Sequence, residues 1–531
     1  MRYKVLKTFR VAVSLIFLFV LSFAFVDFAE TLPNWFLGGF TWIQFIPSLL
    51  EFVNLVSIAS IGFVVILLVT LLFGRVYCST VCPMGIMQDV VSRTRTWFSK
   101  KKRKKRFKYS RPHNRLRYSL MAITALGLIF GAVIFSNLLD PFSNFGKIFS
   151  QLIRPLYYGA NNILANIMGN FDVYTFYHVE TKQSAWAALI YPAAILMLVL
   201  WLSFRKGRLY CNTVCPVGTL LGLVSKASYY KVGINSHTCT QCGKCAAVCK
   251  SQCIDVKNKK VDFSRCVGCF NCLNSCELSG IDYYPGYGKK NKANVKPNLS
   301  QVTVDKGRRE VLTKAVGMVI GSSILSAKAY AEEVIPTKKT TIPNDKNFPV
   351  TPPGSLGIEH FNDTCTACHL CISACPTHVI QPSVLEYGIG GFMQPRLDYH
   401  ASFCNYDCIV CSEVCPTGAI MSLTTEAKKT TQVGKVIFEK DNCVVHTEST
   451  SCGACAEHCP TKAVRMVPYE GTLTIPETDE SICVGCGACE YACPTRPFRA
   501  IFVDGNGEHQ VAKLPEVEAL EDDEPLEEFP F

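Results

Sequence analysis

Residues 74–85, GRVYCSTVCPMG, return as residues 207–218, GRLYCNTVCPVG. Both read G-R-x-Y-C-x-T-V-C-P-x-G, and each stands just past a run apolar enough to cross a bilayer. The first part of the chain therefore reads as two related helical hairpins. One copy supplies Cys78 and Cys82, the other Cys211 and Cys215. Two thiolates are half of a four-cysteine site, and the repeat brings the second pair to the same membrane face. The four are expected to share one cluster near the cytoplasmic surface. A redox-active dithiol or a metal-transfer site is the competing reading.

Working outward, four apolar runs are long enough to span, at residues 11–26, 52–73, 118–136 and 185–204. Basic residues flank them consistently: Arg2, Lys4, Lys7 and Arg10 before the first, residues 93–117 (with KKKRKKR) between the second and third, and Arg205, Lys206 and Arg208 after the fourth. The positive-inside rule makes these ends cytoplasmic. The connections at 27–51 and 137–184 then face outward, with the tryptophan-bearing part of the first lying in the interface. Residues 1–331 carry a net +28 and residues 332–531 a net −16. Positive charge that borders apolar helices reports membrane orientation, which argues against a nucleic-acid partner. None of the four runs contains a histidine, so a membrane-embedded b-type haem lacks its usual ligands.

The 29 cysteines set the chemistry. After the repeat come two C-x2-C-x2-C-x3-C runs, Cys239, Cys242, Cys245, Cys249 and Cys266, Cys269, Cys272, Cys276. In two-cluster ferredoxins the fourth cysteine of each run ligates the other cluster. The expected sets are Cys239, Cys242 and Cys245 with Cys276, and Cys266, Cys269 and Cys272 with Cys249. Lys250 and Glu277 stand where proline usually follows the fourth cysteine, and Cys253 is left over as a spare buried thiol. Four further runs occupy residues 356–510: Cys365, Cys368, Cys371, Cys375; Cys404, Cys408, Cys411, Cys415; Cys443, Cys452, Cys455, Cys459; and Cys483, Cys486, Cys489, Cys493. Each ends in C-P, a spacing for 4Fe-4S clusters rather than structural zinc. Cys365-Thr-Ala-Cys368-His369 also matches the c-type haem motif C-x-x-C-H, but it sits inside a complete ferredoxin run.

Between the two blocks, residues 307–331 (GRREVLTKAVGMVIGSSILSAKAYA) have the form of a twin-arginine export signal with A-x-A processing sites, placed internally. Uncut, this stretch serves as a fifth, short span. The expected organisation is a membrane domain at 1–235, a two-cluster ferredoxin module at 236–285, a linker at 286–306, the signal or fifth span at 307–331, a linker at 332–355, a four-cluster domain at 356–510 and an acidic tail at 511–531. The fold class is an α-helical membrane bundle with two related hairpins, joined to two α+β ferredoxin-like iron-sulfur modules.

The first half, with its two C-x3-C-P pairs and trailing ferredoxin runs, resembles NapH, MauN and NosR, membrane quinol-dehydrogenase components. The half from Arg308 onward resembles the twin-arginine polyferredoxins NapG and MauM. The resemblance implies that quinol is oxidised at the membrane half and that electrons pass through six ferredoxin-type 4Fe-4S clusters. A further cluster at the C-x3-C-P cysteines would join them. The implied partners are the quinone pool and a separate redox enzyme or cytochrome outside the bacterial cytoplasmic membrane. Asp27, Glu30, Glu51 and Asp140, at the outer helix ends, are candidates for taking the quinol protons. Two other readings are a redox module with every ferredoxin cluster on the cytoplasmic side, and a factor for metalloenzyme assembly. In the leading reading the two ferredoxin blocks face opposite sides, and the C-x3-C-P centre is the recognisable way station between them.

Overall fold

Residues 2–26 contain neither glycine nor proline, and they form one uninterrupted helix, α1 (Arg2–Val26). At 1.5 Å per residue its 25 residues are about 37 Å long. The computed structural model describes residues 2–27, 31–55, 61–98, 107–172, 174–179, 186–236, 238–276, 280–286 and 340–514. The internal signal at 307–331, the KKKRKKR run, the acidic tail beyond 514, Glu30 and Glu277 lie outside them.

α2 (Asn34–Trp42) and α3 (Phe45–Leu55) meet at 99°. They belong to the segment expected to lie in the interface, and they fold against α1 through the Phe17–Phe40 ring contact at 4.8 Å. α4 (Gly62–Phe73), α5 (Tyr77–Thr80), α6 (Pro83–Phe98), α7 (Asn114–Ile129), α8 (Ile134–Leu139) and α9 (Pro141–Ile148) follow. A π-helical turn, Phe149–Ile153, leads into α10 (Arg154–Gly169); then come α11 (Trp186–Lys206), α12 (Leu209–Thr213) and α13 (Pro216–Lys226). Among the described residues α1 and α11 qualify as spans by length and composition, and the bent α2–α3 pair brings the number to three if its two helices count as one span.

The third expected span is broken rather than continuous, while residues 56–60 of the second lie outside the described residues. In 52–73, α3 is described as far as Leu55 and α4 from Gly62, where a side chain would meet the Trp42 carbonyl oxygen at 2.1 Å. In 118–136, α7 stops at Ile129 ahead of Gly131, whose φ of +76° is left-handed. Hydropathy scores such windows as apolar throughout and does not register the glycine at which the helix turns.

The ferredoxin module consists of short pieces: β1 (Tyr230–Ile234), α14 (Lys244–Ala247), β2 (Ile254–Asp255), β3 (Lys260–Val261), α15 (Asn271–Ser275) and β4 (Ile281–Pro285). β1 pairs antiparallel with β4, and β2 with β3. The C-terminal domain opens with α16 (Ile358–Thr364) and α17 (Leu370–Ala374). It has three antiparallel ribbons: β5 (Ile380–Pro382) with β6 (Pro395–Leu397), β7 (Thr431–Phe438) with β10 (Ile501–Val511), and β8 (Val464–Pro468) with β9 (Thr474–Thr478).

The two ferredoxin regions sit at opposite ends of α1. Leu6 packs into the core of the ferredoxin module. At the far end Phe25 packs on Phe142 and Phe145 and also borders Gly146, which abuts the Cys368 carbonyl. A single buried apolar cluster runs from α1 through the cysteine repeat into the C-terminal domain.

Candidate metal centres

The repeat explains itself residue by residue. Gly74 and Gly207 take φ of +79° and +66°, turning the chain out of α4 and α11. Thr80 and Thr213 return their hydroxyls to the carbonyls of Val76 and Leu209, tightening α5 and α12. Pro83 and Pro216 open α6 and α13, where a missing N–H costs nothing. Gly85 and Gly218 let those helices approach: a β-carbon would lie 2.3 Å from the Cys78 carbonyl oxygen and 2.4 Å from that of Cys211.

The arginines cross the pseudo-symmetry. Arg75 Nη2 donates to the Cys211 carbonyl at 3.2 Å, and Arg208 Nη1 donates to the Cys78 carbonyl. Each motif is thus pinned to the other, which brings Cys78, Cys82, Cys211 and Cys215 into one buried electrostatic group. Donors point at the sulfurs: Gln88 Nε2 to Cys211 Sγ at 3.1 Å, Gly218 N–H to Cys215 Sγ at 3.2 Å, and Arg75 Nη2 to Cys78 Sγ at 3.7 Å.

Arg208 is paired with Asp89 at 2.7 Å. Arg75 is fully buried, and its described hydrogen bonds go to Asn212 Oδ1, the Ser264 and Cys211 carbonyls and the Cys78 thiol, with no carboxylate among them. A buried cation of this kind calls for an anion, and cluster-bound thiolates are one. The donor set therefore fits a four-cysteine iron-sulfur group. Among the described residues no His, Cys, Asp or Glu side chains converge tightly enough to hold a single metal ion.

In the ferredoxin module one cavity is lined by Cys239, Cys242, Cys245 and Cys276, and the next by Cys249, Cys253, Cys266, Cys269 and Cys272. The crossed sets read from the runs are the ones brought together, with Cys253 added to the second. Lys250 has a function that proline would lack, since its Nζ lies 3.4 Å from Asp89 Oδ1; its backbone carbonyl also accepts from Arg208 N–H at 3.1 Å. Burial pushes the Asp89 carboxyl up, but Arg208, Lys250 and Arg10 outweigh it and hold the group well below the usual carboxylate range. The module also meets the repeat directly, since Gly268 sits against Val76 and the Ser264 carbonyl accepts from Arg75.

The C-terminal runs cross in the same way. Cys415 lies among Cys365, Cys368 and Cys371. Cys375 lies with Cys404, Cys408 and Cys411. Cys459 lies with Cys483, Cys486 and Cys489. A cavity of about 350 Å³, counting its open mouth, is lined by Cys443, Cys452, Cys455 and Cys493. The two halves of the domain join where Cys404 N–H donates to the Cys486 carbonyl at 2.9 Å.

The first set of the C-terminal domain is seated on the helical N-terminal half. Arg154 donates to the Ile372 and Ser373 carbonyls at the end of α17, at 3.1 and 3.0 Å. His369, from the C-x-x-C-H match, has Nδ1 3.0 Å from Ser150 Oγ and Nε2 2.9 Å from the Met393 carbonyl. Both ring nitrogens are engaged by protein groups, so this histidine docks the domain and is not placed as a haem ligand.

Of the three candidate carboxylates among the described residues, Asp27, Glu51 and Asp140, only Asp140 is buried beside these centres. It caps α9 by accepting from Ser143 N and Oγ at 2.7 and 2.8 Å, and burial pushes it up to about 6. Lys147, whose ammonium reaches the Asn137 carbonyl, is pushed down to about 7 by burial and lies within electrostatic range of Asp140, Cys365 and Cys368. Asp27 instead binds Thr31 N and Oγ1, and Glu51 is half-buried. Asp89, Arg75 and Lys147 were not singled out from sequence, and Arg208 was read there only as a basic flank of the fourth apolar run. For the two arginines the repeat itself held the signal, because both copies carry them.

Comparison with known proteins agrees with this geometry. A family described as 4Fe-4S binding domain matches at residues 57–105 and 189–235, on both copies of the repeat. Families described as 4Fe-4S dicluster domain match at 364–420 and 449–496. The chain is an iron-sulfur electron-transfer protein. It is 27% identical over 204 residues to the methylamine utilization ferredoxin-type protein MauM of Methylobacillus flagellatus, covering 35% of this chain and 80% of that protein. The ferredoxin-type protein NapF of Escherichia coli is 26% identical over 136 residues, 26% of this chain and 74% of NapF. The putative electron transport protein YccM of Escherichia coli is 39% identical over 70 residues, 13% of this chain and 20% of YccM. No solved structure matches.

Proposed function

We propose that the protein is a membrane-bound conduit that draws electrons from the quinol pool and delivers them to a separate redox enzyme or cytochrome outside the bacterial cytoplasmic membrane. In this reading six ferredoxin-type clusters and a seventh at Cys78, Cys82, Cys211 and Cys215 act in series. The observation that carries it is the order of the cysteine sets. The Cys239 set adjoins the Cys249 set, which abuts the repeat; beyond the repeat the Cys365, Cys404, Cys483 and Cys443 sets follow one another. Bound clusters supply one-electron acceptors whose potentials respond to charge, hydrogen bonding and exposure. The arrangement with all ferredoxin clusters on one side fits poorly with modules at opposite ends of a helix about 37 Å long.

Oxidising a quinol also releases two protons, and the chain must hold them. Asp140 is the best-placed candidate acceptor, since it is buried and interacts electrostatically with both Tyr77 and Cys82. Its role is tested with purified full-length protein and a reduced menaquinone analogue, following the bleaching of iron-sulfur absorbance. Bleaching by quinol is expected, and Asp140→Asn, which keeps the helix cap, should slow it about 100-fold. Protein that bleaches with dithionite but never with quinol would sink the quinol part of the proposal.

A further inference from the structure

Cys253 is the cysteine that the spacing leaves without a cluster, and its position is not that of a filler. Gln252, immediately before it, adopts φ of +53°, a conformation that non-glycine residues rarely take. Gln252 N–H donates to the Cys249 carbonyl at 3.1 Å, and its side chain is tied to the Lys206 carbonyl at 3.3 Å. The chain is thereby folded back on itself. Asp262 N–H holds the Cys253 carbonyl at 2.8 Å from the other side. As a result Cys253 Sγ stands 3.6 Å from Cys249 Sγ, lies within electrostatic range of the Cys266 thiol, and lines the same cavity as Cys249, Cys266, Cys269 and Cys272. A residue needed only to fill space would require neither the left-handed turn nor a ligand sulfur at 3.6 Å in a shared cavity.

We propose that Cys253 is an alternate ligand of the inner cluster of the ferredoxin module, interchangeable with Cys249. The exchange balances within the pair: the iron bond passes from Cys249 Sγ to Cys253 Sγ, and the thiol proton of Cys253 passes to Cys249. Nothing is oxidised or reduced. The cluster next to the four-cysteine repeat, on which the serial order depends, thus has a fifth thiol in its own wall.

The assignment rests on the reading of this module as a holder of two clusters, and the experiment separates the two. Iron and acid-labile sulfide per chain are measured on full-length protein purified without oxygen, together with the electron paramagnetic resonance spectrum after dithionite reduction. Cys249→Ala and Cys253→Ala should each retain the wild-type iron content, and the double variant should lose about four irons. A Cys249→Ala protein as poor in iron as the double variant, or one that fails to accumulate where Cys253→Ala does, overturns the proposal. Cys272→Ala identifies the other failure: unchanged iron there means that the module holds no inner cluster, and the assignment falls with it.

Discussion

Asp89 carries one negative charge against three cations, Arg10 at 3.4 Å, Arg208 at 2.7 Å and Lys250 at 3.4 Å. Those cations come from α1, from the second copy of the repeat and from the ferredoxin module, so one carboxylate ties three separate parts of the chain. Asp89→Asn would leave buried cations uncompensated, a change worth about 3–5 kcal/mol. The expected result is release of the ferredoxin module, read as new protease cleavage between residues 226 and 250 with the C-terminal domain still intact. The sign of the pH dependence follows from the carboxyl lying below its ordinary range. Its contribution is complete above the unfolded carboxylate pKa and is lost only as pH falls through the depressed folded value. Wild-type docking should therefore persist through mild acid, and Asp89→Asn should lose that acid-dependent step. Lys250 could be seen in the sequence as a departure from proline, but its partner could not. Asp89 is 161 positions away, and only the packed repeat makes them neighbours.

The glycines that close each motif decide whether the two short helices can meet their successors. Gly85→Ala and Gly218→Ala would drive a methyl into the backbone carbonyls of Cys78 and Cys211, and backbone cannot yield as a flexible side chain can. Each should deplete the iron bound at the repeat, about four atoms, while the ferredoxin runs keep theirs; iron counts on the two variants check this. Arg154 does comparable work for the other interface, closing the C-terminal carbonyls of α17 from α10. Hydrogen bonds from a charged donor contribute about 1.5–3 kcal/mol each, so Arg154→Ala should loosen the C-terminal domain without unfolding it. Cross-linking between α10 and the domain, compared with wild type, measures that.

At this scale the sequence was informative about chemistry and less so about shape. The cysteine runs, and the crossed partners of the module at 236–285, were legible because ligand spacing is local and the swap is a rule of two-cluster modules, whereas the pairing of the four C-terminal runs was not read from spacing. The interruption of the third apolar run was not. A window average records composition, whereas a helix stops where a glycine turns it or packs against a carbonyl. Asp140 was one of four equivalent carboxylates until the structure buried it, since burial depends on residues distant in the chain.

Among the described residues of the molecule, the ferredoxin module packs on the repeat, and the repeat shares one buried apolar cluster with the C-terminal domain. Apolar packing is continuous along that path, from α1 past the four repeat cysteines to α17. If electrons pass that way, removing the middle set must divide the protein into two electrically separate ends while leaving both ends loaded. Cys78→Ser with Cys211→Ser makes this cut, taking one ligand from each copy. In proteoliposomes sorted for one orientation, a membrane-impermeant reductant is supplied to the side of the ferredoxin module. Wild-type protein should then show reduction of both the module and the C-terminal domain, by their separate resonance signals at low temperature. The double variant should show reduction of the module alone, with the C-terminal signal appearing only when reductant is given from the other face. Equal reduction of both ends in the variant would mean that the repeat is not on the route, and that the two ferredoxin regions exchange electrons by another path or through a partner.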